Sequence, residues 1–238
     1  MILTSKANNP LIAVGYLFKG LAMLGHPALR HFLLAPILLN LLLYGAGLVL
    51  AYHYLAIMIG QFIPDWLQWL EWLLWPLFFV CFMLIGFFTF TMLVNLLAAP
   101  FYGKLAAKTL ALMSQPVNPV SEPSLARVMA AELKRASYLA VRALPLLLLF
   151  VIPGVNILAP FLWALFGAWS MALEYLAYPL ENEGILFPEQ QLLAKQNRLG
   201  TLSFGGVTML GLTLPIINVI VAPAAVIAAT IYLYETKQ

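Results

Sequence analysis

The sequence predicts an all-α integral membrane protein. The expected architecture is a single membrane domain over residues 1–238, with two long transmembrane helices, two Pro/Asn-broken re-entrant helical hairpins, and amphipathic interfacial and cytoplasmic helices. Three observations predict it. Apolar residues make up 63% of the chain and formally charged ones only 9%, whereas a soluble domain carries about a quarter charged residues. Two apolar runs, 32–59 and 73–100, contain no acidic, Lys or Arg side chain. Two later apolar stretches, 137–179 and 199–234, are each interrupted midway by proline and asparagine.

Residues 1–31 come first. "LIAVGYLFKGLAML" (11–24) has apolar positions at helical spacing with Lys19 and Gly20 between them, the pattern of a helix lying along the membrane surface. No short apolar core followed by a small-residue cleavage site is found here, so a removed secretory signal is not expected. The run 32–59 then continues for 28 residues. About 20 apolar residues cross a hydrocarbon core, so this is a full span with length left for tilt. Pro36 and Asn40 fall in its first turns, where neighbouring groups can satisfy a freed carbonyl.

"PDWLQWLEWLLWP" (64–76) sets Trp66, Trp69, Trp72 and Trp75 beside Asp65 and Glu71. Tryptophan favours the headgroup zone, so this segment is an aromatic belt around a chain reversal rather than a stacking platform for a ligand. The second span, 73–100, follows. No Lys or Arg lies between the spans, while 101–142 holds Lys104, Lys108, Arg127, Lys134, Arg135 and Arg142 against Glu122 and Glu132. Basic residues stay preferentially in the cytoplasm, which places the termini and the helical segment 101–136 inside and the Trp-rich turn outside. The asymmetry is small enough that insertion in both orientations is the alternative.

The last hundred residues share one kind of punctuation. Pro153-Gly-Val-Asn156-Ile-Leu-Ala159-Pro160 breaks the first stretch and Pro215-Ile-Ile-Asn218-Val-Ile-Val-Ala222-Pro223 the second, and span two ends in the related Asn95-Leu-Leu-Ala-Ala99-Pro100. Proline disfavours a helical residue before it and asparagine can cap the next helix, so each break reads as helix–turn–helix. These turns carry no charge. Irregular backbone at membrane depth requires protein or a watery cavity around it. Two hairpins with tips inside the bilayer are therefore favoured over four complete spans.

Several classes of activity find no support. The single cysteine, Cys81, allows no intrachain disulfide and supplies no metal or redox cluster. His26, His31 and His53 are not grouped as metal ligands, no serine has a His and acid in a recognisable order, and no phosphate-cradling glycine loop is present. The net charge of +3 comes from dispersed basic residues, which is not a nucleic-acid footprint. No cofactor and no enzymatic role are expected.

The strings "PALRHFxxxPxxxN" (27–40), "PDWLQWL" (64–70), "NLLAAPF" (95–101), "IPGVNxxAP" (152–160), "YPLEN" (178–182), "FG" (204–205) and "LPIIN" (214–218) occur in this order. Together they resemble the CysZ-type sulfate permeases of Gram-negative inner membranes, over nearly the whole chain. The resemblance implies two long transmembrane helices with two hemi-penetrating hairpins, homo-oligomers built from dimers, and uptake of sulfate for assimilatory cysteine synthesis. Sulfite and related oxyanions belong to the same ligand class. In that family two successive backbone amides and two arginines before the first span hold sulfate. Carried over, the amides are those of Ala28 and Leu29, and the side chains those of Arg30 and His31.

Physical chemistry offers the same stretch two roles. A helix opening presents unpaired N–H groups and the positive end of the macrodipole to an oxyanion, and Arg30 adds a planar fork for two oxygens. The plainer role is a snorkelling anchor among lipid headgroups. Two departures from the family pattern bear on the site. Ala28 replaces a glycine and would be strained at positive φ. His31 replaces an arginine and carries charge only when protonated, so anion binding is expected to strengthen as pH falls.

Elsewhere Asn40 and Asn95 are pore-lining candidates set against capping and interhelical bonding. Lys104 and Lys108, four apart on one helical face, are vestibule candidates set against attraction to anionic lipid. Arg142 is a further pore or vestibule candidate; it and Glu174 stand in opposite arms of the first hairpin, where pairing with one another or with a partner subunit would offset the cost of burial. The family's "FNGxLAE" is here "FYGKLAA" (101–107) and its "YxDYP" is "YLAYP" (175–179), so no role of those acids passes to Tyr102, Ala107 or Ala177. Three functions follow for comparison: a permease or channel, a sulfate-sensing regulatory or scaffold protein acting with another carrier, and a lipid-modifying enzyme, for which the acid, base or metal groups are not found.

Overall fold

In the computed structural model, residues 1–113, 125–214 and 217–237 are described. Their regular structure is helical: α1 (Pro10–Leu24), α2 (Arg30–Phe62), α3 (Glu71–Met113), α4 (Leu125–Leu149), α5 (Ala159–Asn182), α6 (Glu189–Gln196), α7 (Arg198–Thr213) and α8 (Asn218–Thr236). Short 3-10 turns cover Ser5–Asn8 and Asp65–Leu70, and Leu3 and Lys237 form one antiparallel bridge. The all-α membrane class is borne out: among the described residues three helices are long and apolar enough to cross a bilayer, Arg30–Gln61, Trp66–Gly86 and Asn218–Thr236. The chain divides into two units, one of Leu33–Ala99 and one of Met1–Phe32 with Pro100–Gln238.

The first unit is a helical pair. At a 1.5 Å rise, the 33 residues of α2 reach about 50 Å, more than the roughly 30 Å hydrocarbon core. Its outward side chains are apolar and exposed, including Leu38, Leu42, Val49 and Met58, as lipid contact requires. The pair is joined by a few polar bonds: Asn40 Nδ2 donates to the Phe90 carbonyl at 2.8 Å, and the Tyr44 and Thr89 hydroxyls are bonded. Such bonds substitute for the hydrophobic driving force that lipid cannot supply. At the far end Tyr52 packs on Trp75 with centroids 4.6 Å apart. Trp66, Trp69 and Trp72 are exposed around the reversal, as an aromatic belt demands.

The second unit is held by close helix contacts through small residues. A Cβ added at Gly20 of α1 would strike the Ala224 carbonyl and come within 2.8 Å of Ala228 Cβ on α8. Gly205 of α7 meets the Ala168 carbonyl and Ala172 of α5 in the same way. Absent side chains let these backbones approach, the usual geometry of membrane helix pairs. α8 supplies the centre, with Ala222–Ala229 all buried. Tyr232 stacks on Phe204 at 5.9 Å and its hydroxyl donates to the Ala7 carbonyl at 2.6 Å. The N-terminal 3-10 turn is thereby fixed to α8.

Three local expectations come out differently. The string ending in Pro100 does not end a helix, because α3 carries on to Met113; a proline within an apolar helix is tolerated where neighbours satisfy the freed carbonyl. The two later breaks do join helices, α4 to α5 and α7 to α8, but asparagine caps neither. Leu158 precedes α5, whose Pro160 presets the first turn, and Asn218 is itself the first residue of α8. At the first break Gly154 takes φ 82°, a left-handed conformation that glycine adopts without a Cβ penalty. Pro215 and Ile216 lie outside the described residues.

Candidate functional site

The turn between α1 and α2 is built from both sides. Asn9 starts α1, its Oδ1 accepting from the Leu11 and Ile12 amides at 3.0 and 3.3 Å, with Pro10 in the first turn. Both choices satisfy helix-opening geometry. One face of α1, including Ala13, Tyr16, Leu17, Gly20 and Leu24, is buried, which holds the end of the helix in place. Five residues, Gly25 to Leu29, then connect to Arg30. Leu29 is completely buried and anchors the turn, while His26, Arg30 and His31 are exposed.

The four candidate residues are thus consecutive at the opening of α2, but their amides are not idle. Leu29 N donates to the His26 carbonyl at 2.9 Å, and Arg30 N shares that oxygen at 3.1 Å. Ala28 N donates to His26 Nδ1 at 3.2 Å. Two amides converging on one carbonyl three and four residues back describe a right-handed turn, which alanine fits without strain. The left-handed glycines of the described residues are Gly154 and Gly184. Among the described residues no carboxylate pairs with Arg30 or His31. The His31 ring lies 4.1 Å from that of Phe32.

The weaker candidates are scattered. Asn40 is fully buried, and its Oδ1 has no protein partner while Nδ2 holds Phe90. The side chain of Asn95 lies outside those described. Lys104 and Lys108 are exposed on α3. Arg142 does not pair with Glu174 among the described residues: its guanidinium lies 3.7 Å from the Tyr138 ring centroid and donates to the Tyr138 carbonyl at 3.2 Å. A cation over an aromatic face needs no acid nearby.

Two features escape a reading of the sequence alone. His26 is absent from the family string, yet it organises the turn through its ring and its carbonyl; its place just before the string is the signal a sequence offers. The second feature is an ionic group where α4, α5 and α6 meet. Arg135 bonds Glu132 and lies 3.8 Å from Glu181, and Gln190 reaches Glu181 at 3.5 Å. Burial raises the Glu181 carboxyl above its ordinary value; Arg135 opposes the rise and Glu132 adds to it. Asn182 beside it donates to the Gly103 carbonyl at 2.8 Å, which ties α5 to the last part of α3. Burial likewise pushes the Tyr102 phenol upward. Among the described residues no group of His, Cys, Asp and Glu is arranged to hold a metal.

Residues 16–223 match the family described as Sulfate transporter CysZ/Etoposide-induced protein 2.4. The chain belongs to this family. Among its relatives is a protein of Pseudomonas aeruginosa strain PAO1 named sulfate transporter CysZ, 38% identical over 227 residues that span 91% of this chain and 92% of the relative. A like-named protein of Pseudomonas fluorescens Pf0-1 is 39% identical, spanning 91% and 90%. One from Pectobacterium atrosepticum is 33% identical, spanning 95% and 86%. The resemblance read from the motifs is therefore borne out across the CysZ-family chain as a whole, and the matched region includes the turn at 25–31.

Proposed function

We propose that this chain carries sulfate, with sulfite or related oxyanions in the same ligand class, across a bacterial inner membrane that it crosses more than once. It works as a permease or channel without nucleotide hydrolysis of its own, and supplies cysteine synthesis. The observation that carries the reading is the exposed pair Arg30–His31 at the opening of a span-length apolar helix, with no carboxylate among the described residues pairing with it. A guanidinium fork bonds two oxygens of a tetrahedral dianion, and the helix opening contributes further positive potential. The names of the relatives support sulfate as the cargo.

The Ala28 and Leu29 amides join the anion once their bonds to His26 open. Consumption of sulfate downstream drives passive entry. The hairpins α4–α5 and α7–α8 enter the bilayer without crossing it, the chain assembles as homo-oligomers built from dimers, and lipid surrounds the apolar face of α2. Lys104 and Lys108 attract anions at the cytoplasmic side. The internal bonding of both amides favours a second reading, sulfate sensing in service of another carrier, because binding would then rearrange the turn. Radiolabelled sulfate uptake by the purified protein in liposomes separates the two. Uptake supports the transporter, and sulfate binding with no uptake supports the sensor.

A further inference from the structure

At the turn before α2, the Ala28 amide donates to His26 Nδ1 at 3.2 Å, and this bond sets a condition on the ring. Nδ1 can accept only while it keeps its lone pair, so the ring that caps the amide is neutral and carries its proton on Nε2. Protonation of Nδ1 turns the acceptor into a donor and forces the ring off the amide. His26 is exposed, so solvent protons reach it, and imidazole is the side chain whose charge changes between about pH 5 and 8. The charged and titratable groups in the first turn of the adjoining α2 are Arg30 and His31, both basic. On α1 the nearest charge is Lys19, paired with Glu235 at 2.6 Å. Tyr16 meets Tyr232 and Gly20 meets Ala224, so α1 runs toward the start of α8, and residues 218–223 there contain no ionisable side chain.

We propose that His26 competes with the anion for the Ala28 amide, and that its protonation both releases that amide and adds a cation to the site. This rests on reading the turn as the sulfate site. Neutral His26 occupies a donor the dianion needs, so binding above the histidine range must first break the cap. Protonated His26 leaves the amide free and stands as a third positive group beside Arg30 and His31. His26 is then a positioning residue that makes sulfate binding proton-dependent, separately from any charge gained by His31.

The test is equilibrium binding of radiolabelled sulfate to the purified full-length protein at about pH 5.5 and about pH 8. His26→Ala removes the cap, so binding at the higher pH should tighten by about fivefold, the worth of one ordinary hydrogen bond, and the gain on acidification should shrink. His26→Asn retains an acceptor at the place of Nδ1 that cannot be protonated. It should bind as weakly as wild type at the higher pH and lose the gain on acidification. A purely structural role for His26 would shift binding at the higher pH in the same direction in both variants, and that result overturns the proposal. Unchanged binding in His26→Ala at the higher pH overturns it too. Arg30→Ala serves as the separate control: if His26→Ala does not tighten binding while Arg30→Ala abolishes it, the site reading stands and the role of His26 falls. If Arg30→Ala binds as wild type does, the site reading falls and the role of His26 with it.

Discussion

Gly20 of α1 lies directly against the backbone of Ala224 on α8, so close that a Cβ at position 20 would strike the Ala224 carbonyl. Gly15, on the same helix, has no atom within 4 Å of its would-be Cβ. The two glycines make a matched pair. Gly20→Ala should destabilise by about 1–3 kcal/mol through overpacking. Gly15→Ala should be neutral or stabilising by up to about 1 kcal/mol, the helix-propensity difference. Thermal unfolding of the two variants in detergent checks this, and equal melting temperatures would contradict the packing described for α1 and α8.

Tyr232 offers a second test of the same unit. Its hydroxyl donates to the buried Ala7 carbonyl at 2.6 Å, so Tyr232→Phe leaves that acceptor without its partner while keeping the ring stack on Phe204. The expected loss is about 1–2 kcal/mol. Because the bond fixes the N-terminal 3-10 turn, limited proteolysis should cut near residues 1–9 faster in the variant. An unchanged cleavage rate would show that Leu3, Thr4 and Asn8, which also bond the body of the unit, suffice.

The architecture was largely legible in the sequence, because apolar run length and proline punctuation are properties a sequence states directly. The two long apolar helices α2 and α3, the Trp-rich reversal between them and the helix breaks before α5 and α8 all follow from them. The continuation of α3 past Pro100 did not, since whether proline ends a helix depends on neighbours that take up its carbonyl. Nor did the capping at Leu158 and Ile217. At the candidate site, Arg30 and His31 were legible as a charged pair before an apolar run. The acceptance by His26 of bonds from three successive amides, one at its ring and two at its carbonyl, was not, because a contact two to four residues along the chain leaves no periodicity.

Glu181 gives a pH dependence whose sign can be worked out. Burial, the leading cause, raises its carboxyl above the ordinary value, with Arg135 opposing and Glu132 adding. The folded chain therefore holds this proton more tightly than the unfolded chain does. Its contribution is full below the unfolded value and is lost as pH rises through the folded one. Glu181→Gln stays neutral throughout. Between about pH 4 and about pH 7, the melting temperature of wild type should fall relative to that of the variant. A gap that stays constant across this range would contradict the assignment.

Asn40 separates adhesion from conduction in the helical pair of the first unit. Its amide holds the Phe90 carbonyl at full burial, the behaviour of an interhelical bond. Asn40→Ala should cost about 0.6 kcal/mol and at most about 1.7 kcal/mol, the average and the maximum for such bonds in membranes, and leave sulfate uptake per folded molecule unchanged. A large loss of uptake at unchanged stability would instead place Asn40 on the anion path.

Uptake into proteoliposomes shows whether sulfate passes through a site on Arg30. Wild type and Arg30→Ala are reconstituted at equal amounts of folded protein and supplied with radiolabelled sulfate. Loss of a charge-assisted contact worth about 1.5–3 kcal/mol predicts uptake at subsaturating sulfate reduced by about tenfold or more. Equal uptake by the two proteins would contradict the account.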